Sequence, residues 1–228
     1  MQLNIQTLYG HWTEGYALDL HTINSKPIIY TDSVMKDYTE GSLDPDISAL
    51  IENQLEYGKI LIENTILGWD TKRTEIGEHL YQLKYCSDKS RINIIASEAE
   101  NFISTKANWQ LHKIIPVPPS ASARDWEPVY ELAKVIGELC KLEVNFTTLR
   151  KIKSTSQLKT IDNAEQRREI LKDAFDITPD ILAGNNILLF DDLFRSGESL
   201  NAVCDIVKNK GKAANVYVLT ITKTRSKK

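Results

Sequence analysis

The chain has 228 residues, 42% of them apolar and 26% charged, with a formal net charge of −3. Those proportions suit a folded globular chain, either one large α/β domain or a core domain with an N-terminal elaboration. They argue against nucleic-acid binding through bulk positive charge and leave only a local basic patch open.

Cys86, Cys140 and Cys204 lie far apart and form no C-x-x-C pair, so a zinc ribbon and a dithiol redox motif are both excluded. Isolated cysteines in apolar settings are usually small core side chains, as expected in a reducing compartment. His11, His21, His79 and His112 show no metal-ligand spacing. Met1-Gln2-Leu3-Asn4-Ile5 has no basic stretch leading into an apolar run, and nothing in the sequence is long enough to span a membrane. A cytoplasmic location without membrane partners is the expectation. A homodimer is the default assembly.

Tyr9 to Thr22 carries aromatics and then alternating apolar positions, which predict a strand or hairpin in a small antiparallel sheet. After the turn at Asp44-Pro45, Ile47, Leu50, Ile51 and Leu55 predict a helix over 47–61. Ile76, Leu80 and Leu83 predict another over 73–85, with Thr71 as candidate N-cap. Ile95, Ala99, Phe102 and Ile103 share one helical face. Lys113 to Pro118 reads as a short strand whose prolines turn the chain out of the sheet. Trp126 to Leu142 is the clearest amphipathic helix, with Val129, Leu132, Ala133, Ile136, Leu139 and Cys140 on one face. Val144 to Leu149 predicts a strand and Arg150 to Arg168 a long polar loop leading into a helix. Asn186–Phe190 predicts a buried strand, Ser199–Asn209 a helix closed by Gly211, and Asn215–Thr222 a last strand.

Strands alternating with helices predict a parallel sheet with helices on its faces. Ligands bind such sheets beyond the carboxyl ends of the strands. Pro118, Arg150 and Asp191 fall at those ends.

Asp191 and Asp192 are two acids that can each accept a hydrogen bond from one hydroxyl of a vicinal diol. The next residues, Arg195-Ser196-Gly197-Glu198-Ser199, combine small side chains, a glycine, two hydroxyls and the amides of a helix start, which together suit a phosphate. A diol reader followed by a phosphate cradle describes a ribose 5-phosphate site. The competing reading is a solvated acidic turn with Ser199 as a plain N-cap. Pro118-Pro119-Ser120 is either a pyrophosphate-binding loop or a proline-rich crossover. The basic stretch Arg150 to Gln157 is a flap over the site, a solvated loop, or a contact for nucleic-acid phosphates. Tyr9, Trp12 and Tyr16 either cap a base-binding pocket or pack a small subdomain.

The run Ile187-Leu188-Leu189-Phe190-Asp191-Asp192-Leu193-Phe194-Arg195-Ser196-Gly197-Glu198-Ser199 resembles the signature of type I phosphoribosyltransferases, with Arg195 where threonine is usual. Leu83-Lys84-Tyr85, Pro116-Val117-Pro118, Leu149-Arg150-Lys151, Gln157, Arg167-Arg168 and Ala174-Phe175 follow in the order seen in the ComF branch of that superfamily. The branch's four-cysteine ribbon is missing, and its Arg-Gly-aromatic-Asn-Gln stretch reads Arg124-Asp125-Trp126-Glu127-Pro128.

The resemblance implies an α/β type I phosphoribosyltransferase fold, with a core domain over 83–228 and an N-terminal hood over 1–82. It implies an enzyme that binds 5-phosphoribosyl 1-pyrophosphate with Mg²⁺ and moves phosphoribosyl to or from a base. Asp191, Asp192, Lys151 and Lys153 are its expected catalytic residues, with Asp191 holding Mg²⁺ indirectly. Asp191, Asp192, Phe194, Arg195, Ser196, Gly197, Glu198 and Ser199 are expected to bind ribose 5-phosphate. Pro118, Pro119 and Ser120 are expected at the pyrophosphate, and Arg150, Lys151 and Gln157 on the flexible loop. Two other functions remain open: a non-catalytic sensor of a phosphoribosyl ligand, and an accessory factor handling single-stranded DNA.

Overall fold

The structure is a computed structural model and describes residues 1–40, 45–56, 66–119, 126–153, 170–171 and 173–225. In chain order it has β1 (Gln6–Thr7), β2 (Glu14–Leu20), β3 (Thr22–Ile29), α1 (Asp32–Thr39), α2 (Pro45–Glu56) and β4 (Ile66–Arg73). Then come α3 (Glu75–Tyr85), α4 (Arg91–Ser104), a 3-10 turn (Ala107–Trp109), β5 (Lys113–Pro116), α5 (Pro128–Cys140) and β6 (Glu143–Val144). The last elements are β7 (Leu149–Lys151), β8 (Phe175–Ile177), β9 (Asn186–Phe194), α6 (Glu198–Asn209) and β10 (Asn215–Lys223).

Two compact units form: Met1–His21 with Thr74–Lys228, and Thr22–Arg73. The sequence expectation drew its boundary at residue 82. In the structure β2 and α3 both belong to the larger unit. The smaller unit pairs β3 with β4 antiparallel and has its own core of Tyr30, Ile51 and Leu67.

The larger unit is a mixed α/β layer structure around a six-stranded sheet, in the order β1-β2-β10-β9-β5-β6. Only β1–β2 is antiparallel; β2–β10, β10–β9, β9–β5 and β5–β6 are all parallel. The central strands are buried on both faces and therefore read as continuous apolar runs, Ile187–Phe190 and Val216–Leu219. Strand alternation divides them. Ile187, Leu189, Val216 and Val218 face Leu200, Val203, Cys204 and Val207 of α6. Leu188, Phe190, Leu219 and Ile221 face α3, α4 and α5.

Local chemistry sets the helix ends. Thr74 caps α3: its Oγ1 accepts from the Gly77 amide at 3.1 Å and donates to the Leu20 carbonyl at 2.6 Å. Thr71, the cap expected from sequence, lies in β4. In α5, Pro128 occupies the first turn, where its missing N–H costs nothing, and Val129, Leu132, Ala133 and Ile136 are buried.

Three further elements differ from expectation. The N-terminal strand joins the main sheet, running parallel to β10 with Glu14 opposite Tyr217 and Leu20 opposite Lys223. The strand expected over 144–149 is broken, because the Asn145 side chain accepts from the amides of Thr147 (3.1 Å) and Thr148 (2.8 Å) and closes a turn. β6 therefore stays in the main sheet, while β7 pairs with β8 in a separate ribbon. Third, β9 runs four residues beyond Phe190, so the acidic pair is part of the strand. The helix expected over 47–61 is α2 as far as residue 56, and 57–61 lie outside the described residues. No described helix is long and apolar enough to cross a membrane.

Candidate functional site

The parallel strands β2, β10, β9 and β5 deliver their carboxyl ends to one edge of the sheet, and the expected site residues of β9 arrive there. Asp191 and Asp192 are consecutive in a strand and so point to opposite faces. Asp192 shares the face of Leu188 and Phe190 and meets α3, where Lys84 Nζ lies 2.5 Å from its Oδ2. Both side chains of that pair are largely shielded. Asp191 shares the face of Ile187 and Leu189, the α6 side, with Thr220 as its neighbour on β10. Asp191 Oδ1 accepts from the Asp192 amide at 2.8 Å.

The two acids differ electrostatically. Burial first, and then the Asp192 charge beside it, push the Asp191 carboxyl up to about 7, against the opposing pull of the Asp192 amide and Lys84. Asp191 is therefore a carboxyl that can hold a proton near neutral pH. Its neighbour is tied into an ion pair.

Beyond Phe194 the chain turns through Arg195, Ser196 and Gly197 into α6. Gly197 sits at φ +79°, the left-handed region. A Cβ added there would come within 2.8 Å of the Phe194 ring. Both facts require glycine. The first intrahelical bond runs from the Asn201 amide to the Gly197 carbonyl at 2.8 Å, so the Glu198, Ser199 and Leu200 amides precede the α-helical ladder. Gly197 caps α6 without a side-chain hydrogen bond. Ser196 Oγ donates to Glu198 Oε2 at 3.1 Å, and Arg195 is exposed. Ser199, the N-cap of the competing reading, is instead the second residue of the helix.

β5 runs beside β9 with Pro116 opposite Phe190, and the Val117 amide donates to the Phe190 carbonyl at 2.8 Å. Pro118 and Pro119 thus leave the sheet next to the acidic pair, Pro118 buried and Pro119 half-buried. Ser120 lies outside the described residues.

Arg150 and Lys151, expected on a loop, lie in the ribbon strand β7. Arg150 is opposite Asp176 in β8, with Nη2 3.6 Å from Oδ2. Lys210, and to a lesser extent Arg150, hold Asp176 below the usual carboxylate range. Lys151 Nζ lies 6.0 Å from the Phe175 ring centroid, and burial lowers its pKa. Lys153 Nζ donates to Asp173 Oδ2 at 3.2 Å. Gln157 and Arg167-Arg168 lie outside the described residues.

No protein-family model matches the chain, and no curated protein matches it in sequence.

Function must therefore be read from the geometry of the sheet edge. The sheet edge collects Asp191, Asp192, Pro118, Pro119 and the turn from Phe194 to Ser199. Arg150, Lys151 and Lys153 belong to the ribbon, where Arg150 and Lys153 face acidic partners. Of the N-terminal aromatics, Tyr16 stacks on Trp109 in the core (6.0 Å, 27°) and carries the Lys106 ammonium 4.0 Å from its ring. Tyr9 is 85% exposed, and Trp12 is buried against Phe194. Sequence reasoning did not assign Lys84 to the site. Apart from its place in Leu83-Lys84-Tyr85, its local signal was a lone cation at the end of an amphipathic helix. Thr220 was missed as well, although a fully buried hydroxyl near the carboxyl end of an apolar strand marks the same edge.

Proposed function

We propose that the protein binds 5-phosphoribosyl 1-pyrophosphate at this edge and acts as a type I phosphoribosyltransferase, moving phosphoribosyl to or from a base. The observation that carries the reading is the junction of β9 and α6. Between Asp191 and Leu200 it combines a carboxyl poised between charge states, a left-handed glycine, and helix-start amides outside the helical ladder. A phosphomonoester accepts hydrogen bonds from such amides and is favoured by the positive end of the helix dipole. Asp191, on the α6 face, is the acid placed to accept from a ribose hydroxyl, with Asp192 held by Lys84 behind it. The exit of β5 at Pro118-Pro119, alongside β9, supplies a second loop for the pyrophosphate.

In the proposed reaction the bond from ribose C1 to pyrophosphate breaks, its electron pair leaves with pyrophosphate, and the base nitrogen attacks C1. Mg²⁺ would neutralise charge on the departing pyrophosphate. Among the described residues no group of three His, Cys, Asp or Glu could hold a metal ion, and Asp192 is engaged by Lys84. Asp191, the acid of the pair not engaged by Lys84, would hold Mg²⁺ indirectly. Lys151, in the ribbon, is the cation assigned to the leaving group.

The pairing of Arg150 with Asp176 and of Lys153 with Asp173 favours a second reading, a sensor that binds the phosphoribosyl ligand without turning it over. One experiment separates the two. Thermal stabilisation by phosphoribosyl pyrophosphate with Mg²⁺ is expected under both, whereas pyrophosphate release across a panel of purine and pyrimidine bases is expected only of the enzyme. No stabilisation by the ligand at millimolar concentration would remove both readings.

A further inference from the structure

The segment Leu8–Gly15, between β1 and β2, is built around the indole of Trp12. Leu8 and Gly15 close it through the Leu8 amide and the Gly15 carbonyl (2.8 Å), and Trp12 Nε1 donates to the Leu8 carbonyl at 2.9 Å. The Thr13 amide ties it to the Val216 carbonyl of β10 at 2.7 Å. Its outer side is fastened along α6. The His11 amide donates to Asn201 Oδ1 (2.9 Å), the His11 ring meets Asp205 (2.8 Å), and Lys208 Nζ donates to the His11 carbonyl (3.0 Å). Asn201, Asp205 and Lys208 are spaced i, i+4, i+7, which is a single helical stripe. Gly10 lies so close beneath this seam that an added Cβ would overlap both the Trp12 ring and Asn201 Oδ1.

The indole is 7% exposed and meets the Phe194 ring edge-on, with centroids 6.3 Å apart and planes at 89°. Phe194 is in turn the wall against which the Gly197 turn is folded, and Trp12 lies 3.8 Å from the same Cβ position. Asn201, which receives the His11 amide, sends its own amide to the Gly197 carbonyl. Two routes therefore lead from the segment to one turn, one through the edge-on ring pair and one through the first helical hydrogen bond.

We propose that Leu8–Gly15 braces the β9–α6 cradle and that Trp12 is a positioning residue for phosphomonoester binding. Trp12 holds Phe194, Phe194 shapes the left-handed turn at Gly197, and the turn aims the amides of residues 198–200 at the phosphate. This rests on the reading of that junction as a phosphate site. The brace makes the N-terminal segment part of the binding apparatus without any contact to the ligand.

The test uses the full chain, ribose 5-phosphate as probe, and amide hydrogen exchange over 195–201. G10A, which forces the brace off its seat, is expected to weaken ribose 5-phosphate at least tenfold and to speed exchange at 195–201. N201A, which cuts the tether but leaves the core alone, is expected to do the same to a lesser degree, about threefold. W12F keeps the ring edge and should bind within threefold of wild type, while W12A should not. I136V, a core truncation on the opposite face of the sheet, should leave both readouts unchanged. Exchange at 195–201 in G10A and N201A equal to wild type would overturn the brace. Failure of the wild-type chain to bind ribose 5-phosphate would overturn the phosphate reading of the cradle instead.

Discussion

Replacing Asp191 with asparagine is expected to stabilise the fold at alkaline pH while abolishing ligand binding. Asn keeps the side-chain oxygen that accepts the Asp192 amide, so the local bond of 2.8 Å can survive. What disappears is a carboxyl pushed up to about 7 by burial and by Asp192. Because the folded value lies above the unfolded value near 3.9, the folded chain holds this proton more tightly than the unfolded chain. The associated stability is complete below about pH 4 and is lost as pH rises through about 7. Three units at 1.36 kcal/mol each set a ceiling of about 4 kcal/mol. The Asp191 side chain is only half-buried, so about half of that, roughly 2 kcal/mol, is expected as the advantage of D191N at pH 8. For a chain of this size it corresponds to about 4–8 °C in Tm. Thermal unfolding of both proteins from pH 4 to 8.5 should give curves that converge at the acid end, separate progressively from about pH 4 and run parallel above about pH 7. Equal stability at pH 8, or a difference that grows toward low pH, would refute the buried-pair argument. In the same samples, ribose 5-phosphate should raise the Tm of wild type but not of D191N.

K84M should cost about 2–4 kcal/mol at pH 7, since it strands Asp192 without its shielded partner. Adding D192N should recover much of that loss, and a double-mutant cycle in urea measures the coupling. G197A should cost about 1–3 kcal/mol, because alanine must adopt φ +79° with its Cβ against Phe194, and it should remove ribose 5-phosphate binding in calorimetry. Burial pushes the thiols of Cys140 and Cys204 up to about 11 and about 12, whereas Cys86 is exposed. A disulfide reagent at pH 7.5 should therefore modify Cys86 rapidly and the other two only on unfolding.

The strands at the centre of the sheet were readable because burial on both faces leaves an unbroken apolar run, as in Ile187–Phe190. The helices were readable wherever one face is buried, as at Val129, Leu132, Ala133 and Ile136. Reading failed where a side chain overrides periodicity. Asn145 ends β6 by bonding two amides ahead, which no pattern of apolar residues signals. β2 was misplaced because its alternating sequence gives no indication of its partner, and that partner, β10, lies some two hundred residues away. The acidic pair itself was legible as a motif, but its position inside the strand was not, because Asp in a buried strand is the exception that propensity discounts. Lys84 escaped for a related reason. A cation at a helix end has an adequate local explanation in the helix dipole, and only the fold reveals the carboxylate it meets.

Placing the pair inside the strand has a chemical consequence. Two adjacent acids in a loop could turn toward one ligand as equals, whereas in β9 they are held on opposite faces. Asp192, facing α3, is neutralised by Lys84. Asp191, facing α6, shares its side of the sheet with the amides proposed to hold the phosphate, and burial raises its carboxyl to about 7. A permanently ionised carboxylate on that side would repel a phosphate dianion, and a divalent cation beside Asp191 would remove the repulsion while leaving a carboxylate oxygen to accept a ribose hydroxyl, which an asparagine Nδ2 cannot do. Under the proposed function the asymmetry reconciles an acidic motif with an anionic ligand. It assigns the switching role to the first acid of the pair and the anchoring role to the second.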